Sequence, residues 1–234
     1  MFCCQPIGLA VAGSFFAPQN PWTAGRNDAM SETPDWSGAL RLRAGDALLL
    51  VDLQRDFLSG GALAVPDGDQ VVPVLARYLA RFESTGLLIC CTRDWHPPDH
   101  VSFSSRGGPW PPHGVAGTPG AEFAPELQLP VSTQIFSKAT EPEAEAYSGF
   151  EGTGLAASLH RQGISRLFVG GLATDYCVQA TVLDALRAGF EVLLLGDAVR
   201  AVELEPGDGE RALQAMRQAG ARIIGYEQLA GQGA

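Results

Sequence analysis

A chain of 234 residues, 46% hydrophobic and 18% charged, carries enough apolar material for one large core and too much for a disordered polymer. A formal charge of -10 argues against nucleic acid and anionic membrane surfaces as partners. No linker separates a second domain.

Residues 1–44 read as a loose, poorly ordered amino-terminal extension ahead of a single domain over residues 45–234. The one hint of targeting there is the apolar run 7–16. No Lys or Arg precedes it, and it is too short to span a bilayer. Translation from Met30, ahead of Ser31-Glu32-Thr33-Pro34, would give a more ordinary amino terminus, an expectation that the intact mass of native protein tests. The five cysteines, Cys3, Cys4, Cys90, Cys91 and Cys177, are odd in number and include two adjacent pairs. That pattern suits free thiols in a reducing, cytoplasmic setting better than a disulfide framework.

Ala47-Leu48-Leu49-Leu50-Val51 is an unbroken apolar run, as expected of a strand covered on both faces. Asp52 then stands at its carboxyl end, where open parallel sheets place ligands. Gln54, Arg55, Asp56 and Phe57 lead into Ser59-Gly60-Gly61, a sharp turn. Residues 71–82 read as a helix whose face is Val71, Val74, Leu75, Tyr78, Leu79 and Phe82.

A second strand over 87–92 runs into Arg93-Asp94-Trp95-His96-Pro97-Pro98-Asp99-His100. Three of the four histidines, His96, His100 and His113, fall in this neighbourhood. In extended chain Asp94 and His96 project to one side, so a carboxylate and an imidazole can reach the same cation. His113, within Trp110-Pro111-Pro112-His113, could complete three ligands, and the prolines stiffen the loop; scattered surface histidines are the bland alternative. His160, in a polar helix, reads as a solvated surface residue.

Thr133-Gln134-Ile135-Phe136-Ser137 is a third strand, ending at Lys138, the only lysine beside fifteen arginines. A compact ammonium where arginine is the habit suggests a tight buried site; a chance surface lysine is the bland alternative. Helix 154–162 follows the aromatic loop Tyr147-Ser148-Gly149-Phe150. A strand over 167–170 then leads into Gly171-Leu172-Ala173-Thr174-Asp175-Tyr176-Cys177-Val178 and a helix over 179–187. Cys177 is expected in the first turn of that helix, with Thr174 or Asp175 as N-cap. Unpaired N–H groups and the helix dipole would favour its thiolate there. The alternative is a small buried hydrophobe. Strand 191–195, helix 210–218 and strand 221–224 complete the chain. Alternating strands and helices imply an α/β fold, a parallel sheet with helices on both faces. Asp52, Lys138 and Cys177 then stand at the carboxyl ends of separate strands, where one crevice can unite them.

These motifs, in this order, resemble the nicotinamidase/pyrazinamidase family of isochorismatase-like cysteine hydrolases. The resemblance is carried by Val51-Asp52-Leu53-Gln54-Arg55-Asp56-Phe57, the Asp94 to His100 and Trp110 to Thr118 segments, Lys138, Tyr147 to Glu151, and the Cys177 segment. It covers residues 47–224. Departures are Gly114, where cysteine is frequent, and Tyr176, where histidine is also seen.

The resemblance implies a three-layer α/β/α fold with a mainly parallel sheet of about six strands. It implies that Cys177 attacks the carboxamide carbon of nicotinamide while Asp52 takes the thiol proton and passes it to departing ammonia. Lys138 would hold Asp52 ionised, and backbone N–H groups of Ala173 and Cys177 would form the oxyanion hole beside a cis Leu172–Ala173 peptide. Hydrolysis of the thioester would release nicotinate for NAD salvage, with pyrazinamide a second substrate. One divalent transition metal ion, Zn, Fe or Mn, would be held by Asp94, His96 and His113, with His100 a ligand in some relatives, and would anchor the pyridine nitrogen. Phe57, Trp110 and Tyr147 would line the pocket, or else be plain core. Two other readings remain open: an amidohydrolase for ureido or carbamoyl substrates, and a metal-bound scaffold without turnover. Homo-oligomer formation is also left open.

Overall fold

The structure, a computed structural model, describes residues 40–229. The extension expected over 1–44, with the Met30 question and Cys3 and Cys4, therefore lies outside the described residues apart from 40–44. Six strands form one parallel sheet: β1 (Asp46–Val51), β2 (Leu88–Asp94), β3 (Gln134–Lys138), β4 (Arg166–Leu172), β5 (Glu191–Arg200) and β6 (Arg222–Ile224). Their order is β3-β2-β1-β4-β5-β6. The chain works outward from β1 to one edge, then returns to β4 on its other side. The strand order thus reverses between β1 and β4, and a crevice opens beyond their carboxyl ends.

Both faces of β1 are buried, and its residues alternate between two cores. Leu48 and Leu50 pack under helix α1 (Val71–Thr85) with Leu75, Tyr78 and Phe82. Ala47, Leu49 and Val51 pack with Leu155, Val178 and Met216, on the side of helices α2 (Leu155–Arg161), α3 (Gln179–Arg187) and α4 (Asp208–Gln218). Cys90 and Cys91, neighbours in β2, go to opposite cores as buried free thiols, and burial alone pushes Cys90 up to about 12. The α1 face is the one its periodicity predicts, except that Val72 is buried while Val74 is only half-buried. Gly86 ends α1 at φ 67, a left-handed turn that favours glycine.

Two elements depart from the sequence reading. β5 does not end at Leu195 but runs to Arg200, because the β4–β5 register shifts between Val169 and Gly171 and pairing resumes at Gly171 with Val199 and continues to Leu172 with Arg200. No side chain caps the turn that carries Cys177: the residue before that turn is Ala173, and the Asp175 carboxylate instead accepts the N–H groups of Val202 and Glu203 at 2.9 and 3.0 Å. Among the described residues, no helix is long and apolar enough to cross a membrane.

Candidate active site

Four strand ends deliver the side chains. β1 pairs with β4 along its whole length, and Gly171 makes the last step of that pairing close, since a Cβ there would overlap the Val51 carbonyl. Asp52 follows with φ 48, a left-handed conformation that costs a non-glycine residue on the order of 1 kcal/mol. It takes the chain out of the sheet at the crevice. β4 ends in a cis Leu172–Ala173 peptide and a single π-helical turn, Thr174–Val178. In that turn the Ala173 carbonyl accepts the N–H groups of Tyr176 and Val178, at 3.1 and 3.0 Å, on either side of Cys177. The Cys177 N–H is left out of that pairing.

Lys138 is 1% exposed, so the surface alternative is excluded. Its ammonium donates to Asp94, to the Ala146 carbonyl at 3.2 Å and to Cys177 Sγ at 3.4 Å, and lies 3.0 Å from Asp52 Oδ2. Asp52, fully buried, accepts from Thr92 Oγ1 at 2.7 Å through its other oxygen. One cation thus serves two carboxylates and a thiol. Burial alone would lower the Lys138 pKa, but Asp52, Asp94 and Cys177 outweigh it and hold the ammonium charged. Burial pushes Asp52 above the ordinary carboxylate range, against the opposing pull of Lys138. Burial likewise raises the Cys177 thiol, with Lys138 pulling down and Asp52 pushing up. Burial, the largest influence on Cys177, with Asp52 and Asp94 adding to it, thus opposes the thiolate that the turn's N–H groups and dipole are expected to favour.

On the other side of Lys138 stand Asp94, His96 and His113, one ligand atom from each lying within 4.8 Å of the others. His96 Nδ1 is 2.8 Å from the His113 carbonyl and His113 Nδ1 is 2.8 Å from the Pro111 carbonyl. A carbonyl only accepts, so each Nδ1 carries the proton and each Nε2 offers a lone pair. The two Nε2 atoms lie 3.8 Å from opposite oxygens of Asp94. His96 Nε2 is buried and has no hydrogen-bond partner. Although burial alone would raise Asp94, Lys138, His96 and His113 outweigh it and hold the carboxyl below its usual range. Two oriented imidazoles and a carboxylate fit a divalent transition ion. His100 differs. Its Nε2 is 3.0 Å from the Ala144 carbonyl and its Nδ1 2.8 Å from Ser102 Oγ, so both nitrogens have protein partners. Its ring stacks on His96 at 4.3 Å and makes a second grouping with His96 and Glu145.

Phe57, Trp110 and Tyr147 line one pocket with Cys177, Ala173 and His113. Trp110 Nε1 donates to Tyr147 Oη at 3.0 Å, and the Phe57 ring meets His113 edge-on at 5.6 Å. Sequence reading missed Leu63, Val65 and Val202 on the cavity wall, which come from loops without periodicity. It also passed over Thr92 and Gln54, both 0% exposed. The available signal was a polar residue directly beyond an apolar strand. His160 is exposed, as expected, with its ring stacked on Phe190.

Known proteins resemble this chain over most of its length. The isochorismatase domain matches residues 46–228. The nicotinamidase of Escherichia coli (strain K12) is 40% identical over 198 residues, covering 76% of this chain and 93% of that protein. The nicotinamidase/pyrazinamidase of Mycobacterium tuberculosis is 37% identical over 186 residues, covering 76% and 97%. Among solved structures, the pyrazinamidase of Pyrococcus horikoshii in complex with zinc superposes with a TM-score of 0.75 at 54% identity, covering 78% of this chain and 99% of that one.

Proposed function

Because this chain belongs to the isochorismatase family, we propose that it hydrolyses nicotinamide, and pyrazinamide with it, to the carboxylate and ammonia through a thioester on Cys177. What carries the reading is the meeting of sulfur, carboxylate and ammonium beside a cage of two free Nε2 lone pairs. Named relatives at 36 to 40% identity act on this substrate class.

Asp52 accepts the thiol proton as Sγ bonds to the carboxamide carbon. Burial raises both the thiol and the Asp52 carboxyl, and Lys138 stands beside both to meet the negative charge whichever atom holds it. The carbonyl oxygen gains charge and is met by the Ala173 and Cys177 N–H groups. Collapse breaks the C–N bond, and the proton on Asp52 leaves with ammonia. Asp52 then takes a proton from water as its oxygen attacks the thioester, and returns it to Sγ as nicotinate departs.

Asp94, His96 and His113 would hold a divalent transition ion, zinc, iron or manganese. When bound it supplies a Lewis-acid position for the ring nitrogen rather than a hydroxide. His100, with both nitrogens engaged, is proposed as a stacking support for His96. Phe57, Trp110 and Tyr147 wall the ring in. The proposed role is NAD salvage in a reducing, cytoplasmic compartment.

The decisive experiment is ammonia release by purified protein from nicotinamide, pyrazinamide and an N-carbamoyl compound, before and after chelation. Turnover of the two ring amides, lost on chelation and restored by added metal, is expected. Turnover of the carbamoyl compound alone, or of no amide, overturns the reading.

A further inference from the structure

Resting on the cage proposed above, we propose that Gln54 and Asp56, alternate residues of the loop leaving β1, are positioning residues that hold the cation cage in register with Asp52. β1 stops at Val51, whereas its neighbour β2 continues to Asp94. On its other side Asp94 pairs with Lys138 of β3. Toward β1 no strand remains to meet its backbone. The Gln54 side chain takes that place: Oε1 accepts the Asp94 N–H at 2.7 Å, and Nε2 donates to the Asp94 carbonyl at 2.8 Å. A side-chain amide here does what a peptide group of a longer β1 would do. Its second N–H reaches the Ala121 carbonyl at 3.0 Å, so both donors are used in a site with no exposure.

Asp56 grips the other ligand loop. Its Oδ2 accepts the N–H of Gly114, the residue after His113, at 2.9 Å, and its Oδ1 accepts from Ala62 at 3.3 Å. Gly120 lies against the same carboxylate so closely that a Cβ there would collide with it. Gly114 in turn accepts the His96 N–H at 2.9 Å, while the His113 carbonyl orients the His96 ring. One short loop therefore carries the proton acceptor Asp52, touches Asp94 directly, and reaches His113 and His96 through Gly114. Fixing acid and cage on the same loop sets the distance between the scissile carbon and the ring atom that the cage would hold.

The test titrates zinc alone into metal-free full-length protein against a colorimetric chelator. Gln54→Leu, which keeps the bulk and loses the hydrogen bonds, is expected to weaken zinc affinity by about 10- to 100-fold. KM for nicotinamide should rise more than kcat falls, with Cys177 alkylated by iodoacetamide at the unmodified rate. Should that variant not fold, Asp56→Asn carries the test, with a smaller loss in the same direction. A lower melting temperature with unchanged zinc affinity makes both residues merely structural and overturns the inference. Joint loss of zinc affinity and Cys177 reactivity marks general loosening and overturns it too. If the unmodified protein binds no zinc, the cage itself falls, a failure separate from the variants.

Discussion

The two ends of β1 each bury an acid beside a cation from another strand, and they are built on opposite principles. At the amino end Asp46 meets Arg166 two-pronged, Nε to Oδ1 at 2.7 Å and the terminal nitrogen to Oδ2 at 2.8 Å. The Arg43 N–H adds a bond to Oδ2 at 2.7 Å, and Arg166 donates onward to the Arg41 carbonyl at 3.0 Å. Every charge there has a fixed partner. At the carboxyl end one ammonium is shared by Asp52, Asp94 and Cys177, and Asp52 Oδ2 lies near it without a directed hydrogen bond. A planar guanidinium locks one geometry, whereas an ammonium can turn between acceptors as charge moves. The first cluster is closed; the second leaves its cation shared, as the proposed proton transfer needs.

Substitutions can break that contrast, and the largest effect belongs to the unsettled end. Cys177→Ala should lower ammonia release by on the order of 10⁵-fold or more while the melting temperature holds, because only the reacting atom is removed. Asp52→Asn should cost about 100- to 10,000-fold in turnover, again with stability kept or raised, since it relieves a buried acid whose burial is opposed. A mild effect at position 52 would sink its assigned role. At the closed end the signs exchange. Arg166→Met alone strands the Asp46 charge and should cost about 3 to 5 kcal/mol in denaturant unfolding, while the folded fraction turns over normally. The double change Asp46→Leu with Arg166→Met should be nearly neutral or gain about 1 to 4 kcal/mol, the smallest effect and the sharpest, because it separates a pair's worth from the harm of halving it.

Much of the carboxyl end was legible beforehand. Apolar runs marked β1, β2 and β4, and Asp52, Asp94 and Cys177, each within a few residues of such a run's end or in the turn beyond it, stood out by type. The solitary Lys138 stood out by composition. What could not be read was anything set by through-space partners. Gln54 looks like any loop glutamine until β2 outruns β1. Asp175 has the residue type and place of an N-cap, yet its oxygens go to Val202 and Glu203, in the segment that follows β5. Burial, with two carboxylates from other strands adding to it, pushes the Cys177 thiol up, and neither can be read from the local turn. His100 is a ligand candidate only by resemblance to relatives, and its carbonyl and hydroxyl partners are visible only in three dimensions.

Among the described residues, Lys138 stands on β3, which borders the sheet and has β2 as its single strand neighbour, whereas Asp52 and Cys177 leave the central strands. Margins fray before centres, since the free energy of local opening falls where contacts are fewest. Mild denaturant should therefore withdraw the ammonium first, stopping turnover while circular dichroism still reports an intact sheet, and amides of 134–138 should exchange with deuterium ahead of those in 46–51. The sheet's periphery, rather than its interior, then sets the working lifetime of the catalyst.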